Sequence, residues 1–172
     1  MKQQNNFAYI DGNNLYRGTI DSGWKLDYYR FRTWLADKYG VSRAYYFIGL
    51  VGDRKDVYNA LQKSGFFLVF KEVVSNGKGE IKGNCDADLV LQSAIDAYEN
   101  NCDQQVIVSS DGDYACLVKF LLGKQKLRVI LSPRVSQKCS VLLKRTNAPI
   151  TYLQGVKEKL TKIKKPSLRT EP

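Results

Sequence analysis

A chain of 172 residues with 44% hydrophobic and 26% charged content has the makeup of one soluble globular domain. Such a length buries roughly 70% of the unfolded surface around a single core. Lys and Arg outnumber Asp and Glu by 27 to 17, a net charge of +10 that favours polyanionic partners. No apolar run approaches the ~20 residues of a membrane span, and the opening MKQQNNF lacks a signal-peptide core, so no membrane partner and a cytoplasmic location are expected. Histidine is absent, and Cys85, Cys102, Cys116 and Cys139 stand far apart. That removes an imidazole base and any ordinary zinc spacing, and leaves buried free thiols as the reading of the cysteines.

The chain alternates short apolar runs with helical patterns. FAYI (7–10) reads as a buried strand ending at Asp11, and DGNN follows as turn chemistry. Residues 28–38, with Phe31, Trp34, Leu35 and Tyr39 at helical spacing, predict a helix. RAYYFIGLV (43–51) is a second strand. Asp53 then caps a helix carrying Val57, Tyr58 and Leu61, closed by Gly65. FFLVF (66–70) is a third strand, and 73–85 is a loop or irregular hairpin rich in Gly and Asn. A helix capped by Asp88 or a neighbour runs to about Glu99, followed by a strand at QVIVS (105–109). Residues 115–122 predict a helix stopped by Gly123, LRVILS (127–132) a strand cut by Pro133, 136–144 a short helix, and PITYL (149–153) a last strand. This alternation implies a mostly parallel sheet covered on both faces. Residues 1–154 form the domain, and 155–172, with six basic residues against Glu158 and Glu171, form a basic, frayed tail.

In such a sheet the functional crevice lies at the carboxyl ends of the strands. Asp11 directly follows the first strand, Asp111 and Asp113 of SSDGDY (109–114) follow the fourth, and Asp86 and Asp88 of CDADL open the helix between the third and fourth. Turn or capping chemistry accounts for one Asp at each helix start, yet each of these two helices has a pair. Five like charges at one edge make sense around a divalent cation, because Mg²⁺ and Mn²⁺ take carboxylate and water ligands. Asp21, Asp27, Asp37, Asp53, Asp56, Asp96 and Asp103 read as structural or solvated, although Asp96 can share a helix face with Asp88 and Gln92. Asn13 and Asn14 can donate to a phosphate or orient Asp11, and Lys82 can reach one from the loop. From Tyr114 through Lys157 there is no acidic residue, while Lys119, Lys124, Lys126, Arg128, Arg134, Lys138, Lys144, Arg145 and Lys157 are basic. This run reads either as a solvated face or as a polyanion-binding one whose Lys119, Lys124 and Lys126 lie near the pocket.

FAYIDGNNLY, KGNCDADLVLQ and VIVSSDGDYACLV, in this order and spacing, resemble the three motifs of NYN domains, a branch of the PIN-like nuclease superfamily. The resemblance spans residues 7–153. It implies a three-layer α/β/α sandwich with PIN-like, Rossmann-like topology, and metal-dependent phosphodiester cleavage, with RNA ahead of DNA. Position by position, Asp11 and Asn14 match the family's first acid and the Asn after it. Lys82, Gly83 and Asp86 match its KG-x-x-D, Asp88 falls where a second acid is common, and Asp111 and Asp113 match its paired acids. Gln92 stands where some members carry a further acid. The expected ligands of Mg²⁺ or Mn²⁺ are Asp11, Asp86, Asp88, Asp111 and Asp113. Four of these, Asp11, Asp86, Asp111 and Asp113, are the expected catalytic set. The rivals are a nucleic-acid-binding module with a vestigial acidic pocket, and a phosphatase of the haloacid dehalogenase type. The second rival needs an Asp where Asn13 stands.

Overall fold

The computed structural model describes residues 4–72, 74–75, 81–82 and 85–161. Six strands form one parallel sheet in the order β3-β2-β1-β6-β7-β8. They are β1 (Asn6–Asp11), β2 (Val41–Leu50), β3 (Phe67–Glu72), β6 (Gln105–Val108), β7 (Leu127–Ser132) and β8 (Ile150–Tyr152). A separate antiparallel pair, β4 (Val74–Ser75) and β5 (Ile81–Lys82), is the hairpin expected in 73–85. Helices α1 (Gly12–Asp21), α2 (Tyr28–Tyr39), α3 (Lys55–Lys63), α4 (Asp86–Tyr98), α5 (Ala115–Gly123), α6 (Val141–Lys144) and α7 (Lys157–Leu160) pack on both faces.

Period-two alternation along β1 divides the core. Ala8 and Ile10 face one layer with Leu15 of α1, Phe31 and Leu35 of α2 and Leu61 of α3. Phe7 and Tyr9 face the other, with Leu89 of α4 and Leu117, Val118 and Leu121 of α5. Burial on both faces is why the strands read as continuous apolar runs. The strand order reverses between β1 and β6, which pair in register from Phe7↔Gln105 to Ile10↔Val108. The residues that follow, Asp11 and 109–111, therefore emerge side by side at the switch point.

Several local expectations shift for physical reasons. DGNN opens a full helix: α1 has only Leu15 as a large buried apolar residue, with Gly12, Gly18 and Thr19 filling the rest, so its periodicity is faint. Gly18 is required there, since a Cβ would sit 2.7 Å from the Pro133 Cβ. Asp53 lies inside a 3-10 turn (Gly52–Arg54), and α3 has no side-chain cap. Among the described residues, neither Asp88 nor another side chain caps α4. Gly123 ends α5 from within, and the left-handed residue beyond it is Gln125. The helix expected over 136–144 splits into a 3-10 turn (Ser136–Lys138) and α6, where the Ser140 hydroxyl accepts from Leu142 N. Of the cysteines, Cys102 and Cys139 are buried, Cys85 is half-buried and Cys116 exposed, all four free.

The tail expected from Gly155 starts as packed structure. Leu160 is fully buried, its carbonyl accepts from Asp27 N at 2.8 Å, and Thr161 bridges to Leu26. Residues 162–172 lie outside the described residues. No helix among the described residues is long and apolar enough to cross a membrane.

Candidate metal centre

Asp11 ends β1 and caps α1, its Oδ1 accepting from Asn14 N at 3.0 Å. Instead of running back along the sheet, α1 lies across the carboxyl ends of neighbouring strands. Asn14 Oδ1 accepts from Ser110 N (2.9 Å) and Ser110 Oγ (2.8 Å) after β6. Farther along, Gly18 rests on Pro133 after β7, and Asp21 pairs with Arg134 at 3.0 Å. Asn14 thus clamps the Asp11 turn to the Asp111 loop. Asn13, on the same helix, is exposed.

After β6 the chain turns through 109–111 into a 3-10 turn (Gly112–Tyr114) that runs on into α5. Asp111 caps this turn, its Oδ1 accepting from Asp113 N at 3.1 Å, while its own N–H goes to Ser109 Oγ at 3.1 Å. Gly112 between the two acids is forced by packing, because a Cβ there would meet the Ser140 hydroxyl and the Leu142 side chain. Asp86 enters from the third direction, in the first turn of α4, where the helix dipole favours a negative charge.

One carboxylate oxygen each from Asp86, Asp111 and Asp113 lie within 4.8 Å of one another. An octahedral Mg²⁺ with bonds of ~2.1 Å needs its oxygens about 3 to 4 Å apart, which small side-chain rotations provide. Asp11 joins this group through Tyr114. That buried hydroxyl donates toward Asp86 Oδ1 (2.5 Å) and Asp11 Oδ2 (3.2 Å). Burial pushes the Asp11 carboxyl above the usual carboxylate range. The Asn14 N–H and the Tyr114 hydroxyl pull it back, and the charges of Asp86 and Asp111 raise it further. Burial first, then the charges of Asp11 and Asp88, push the neighbouring Cys85 thiol up to about 11. The clustered donors are carboxylate oxygens, hard ligands of the kind Mg²⁺ and Mn²⁺ take.

Asp88 is not in that group. Two residues along a helix are about 200° apart, so Asp88 points to the sheet edge and pairs with Lys71 of β3 at 2.9 Å. The proposed lysines also divide. Lys119 is exposed midway along α5, but α5 carries the chain away from the carboxylates by about 1.5 Å per residue. Lys124 and Lys126 therefore lie at the amino ends of the strands. There Lys126 Nζ donates to the Cys102 carbonyl at 2.9 Å, and its own carbonyl accepts from Gln105 N. Lys82 is described only by its backbone pairing with Val74 in the hairpin, and Gly83 lies outside the described residues. Asp96 belongs elsewhere, buried under Tyr9.

Tyr114, Ser109, Ser110 and Lys71 escaped the sequence reading. A Tyr opening an apolar helix looks like core, and its ring is core; only its hydroxyl belongs to the site. Each serine of SSDGDY serves a specific neighbour, which the doubled Ser before the acids hinted at.

A family model described as NYN domain matches residues 8–149. The chain is 26% identical over 136 residues to the "Low amplitude and bright protein LabA" of Synechococcus elongatus, covering 72% of this chain and 71% of that protein. Its fold is similar to the crystal structure of a protein of unknown function from Vibrio parahaemolyticus, with a TM-score of 0.73 at 21% identity, over 89% of this chain and 95% of that one.

Proposed function

The chain belongs to the NYN domain family, of the PIN-like nuclease superfamily, and from that premise we propose that it hydrolyses phosphodiester bonds in nucleic acid, RNA ahead of DNA, using Mg²⁺ or Mn²⁺. The observation that carries this reading is the convergence of Asp86, Asp111 and Asp113 within 4.8 Å, with Asp11 linked to them, at the switch point of the sheet. Asp86, Asp111 and Asp113 would hold the ion, with Asp11 beside them. Asp88 reaches the site if Lys71 moves to a substrate phosphate. When bound, such an ion acidifies a water and shields the charge that grows on phosphorus. With no histidine in the chain, the carboxylates are the proton acceptors at hand. Cations at the same sheet edge grip the backbone: Arg17 on the exposed side of α1, Arg54 after β2, Lys71 at the end of β3, and Lys138 after β7. Exposed Asn13 and Tyr16 on α1 lie beside them and suit an unpaired base.

Labelled single-stranded and duplex RNA and DNA, incubated with Mn²⁺ or EDTA, test this. Wild type should cut with Mn²⁺ alone, and Asp11→Asn, Asp86→Asn and Asp111→Asn should each lose more than about 100-fold, since even outer partners of a metal are worth 10–100-fold. Binding without any Mn²⁺-dependent cleavage would make the chain a nucleic-acid-binding module instead. Cleavage that survives in all three variants would place the chemistry at another site.

A further inference from the structure

We infer that Tyr114 is a positioning residue, its hydroxyl yoking Asp11 to Asp86 so that their remaining oxygens face the cation site; this rests on the metal reading above. The three participants come from different elements: Asp11 from the end of β1, Asp86 from the start of α4, and Tyr114 from the 3-10 turn after β6. Sheet pairing holds β1 against β6, whereas α4 is reached only after the hairpin, and its N-cap residue Cys85 makes no side-chain cap bond. Two carboxylates so placed repel each other, and a donor shared between them offsets that repulsion. A phenol offers one proton to two acceptors, and here both acceptors are carboxylate oxygens, at 2.5 and 3.2 Å. The ring is anchored so that the hydroxyl stays put. Tyr114 is 1% exposed and packs in the layer of Tyr9, Phe47, Leu89 and Leu117.

The opposite end of the same helix provides a matched control. Tyr9 donates to the buried Asp96 at 2.6 Å, far from the cluster, so Tyr9→Phe and Tyr114→Phe delete the same kind of bond at two places. The experiment titrates Mn²⁺ into each protein and follows free Mn²⁺ by electron paramagnetic resonance, with melting curves in EDTA alongside. Tyr114→Phe should weaken Mn²⁺ binding by about 10–100-fold, the usual worth of an outer partner, while Tyr9→Phe binds like wild type. A Tyr114→Phe Kd within about twofold of wild type, or equal weakening in both variants, overturns the inference and leaves the metal site standing. A wild type that binds no Mn²⁺ overturns both.

Discussion

The elements β1 and α4 meet acids at both ends, and the two ends are built oppositely. At one end Asp96 is saturated with neutral donors: Tyr9 Oη (2.6 Å) and Gln92 Nε2 (3.1 Å) reach Oδ2, and Asn101 Nδ2 (2.9 Å) reaches Oδ1. At the other, Asp86, Asp111 and Asp113 crowd together, and the Tyr114 hydroxyl reaches both Asp86 and Asp11. The acid at the first end stands alone among its donors, whereas those at the second stand beside one another. A cleft of about 620 Å³ opens at the Asp96 end, lined by Asn5, Phe7, Ser42, Arg43, Phe67 and Asn101 as well. The carboxylate edge, by contrast, holds the convergent charges, and chemistry follows the charges.

The sharpest way to break this contrast is to remove one acid from each end. Asp96→Ala leaves the buried Tyr9 hydroxyl without its partner and should destabilise by about 2–3 kcal/mol, lowering the melting temperature by roughly 5–10 °C. Asp86→Asn in EDTA should leave it unchanged or raise it, because it relieves like-charge repulsion. A large loss in Asp86→Asn would mean that the cluster is structural.

A somewhat smaller effect comes from the ion. Mn²⁺ at ten times its Kd should stabilise wild type by about 1.4 kcal/mol, or roughly 3–6 °C, by mass action. Asp111→Asn should forfeit that gain, and Gln92→Ala, at the other end, should keep it. A wild-type melting curve that millimolar Mn²⁺ does not move would remove the distinction between the two ends.

The smallest expected effect is on pH dependence. The folded chain holds the Asp11 proton more tightly than the unfolded chain does, since burial raises its pKa above 3.8. As pH rises from about 4 through that raised value, the folded state binds more protons than the unfolded one, so this group makes the metal-free protein less stable. Asp11→Asn should flatten that part of the curve, and 10 mM Mn²⁺ should mask it in wild type. Chemical denaturation at a series of pH values in EDTA reads it directly; a slope that the Asn variant retains would assign it to other groups.

Much of this was legible beforehand. LRVILS (127–132) became β7 residue for residue, and every expected strand of the central sheet formed. The acids stood at strand ends and helix starts, where the carboxyl edge of a parallel sheet gathers them. What misled was local: DGNN resembles a turn because α1 buries glycines rather than large apolar residues, and Lys124 and Lys126 looked near SSDGDY because they are near it along the chain. A nine-residue helix carried them to the other end of the sheet.

The sequence by itself determined the alternation of strand and helix, and which acids reach the carboxyl edge. These follow from periods of 2 and 3.6 residues and from strand direction, which are local properties. Only the tertiary structure decided that Asp86 meets Asp111 and Asp113 while Asp88 turns to Lys71, that Asp96 is satisfied by Tyr9, and that a core tyrosine lends its hydroxyl to two acids. Those outcomes depend on which elements become neighbours and at what angle, and long-range packing sets that through contacts no local pattern encodes.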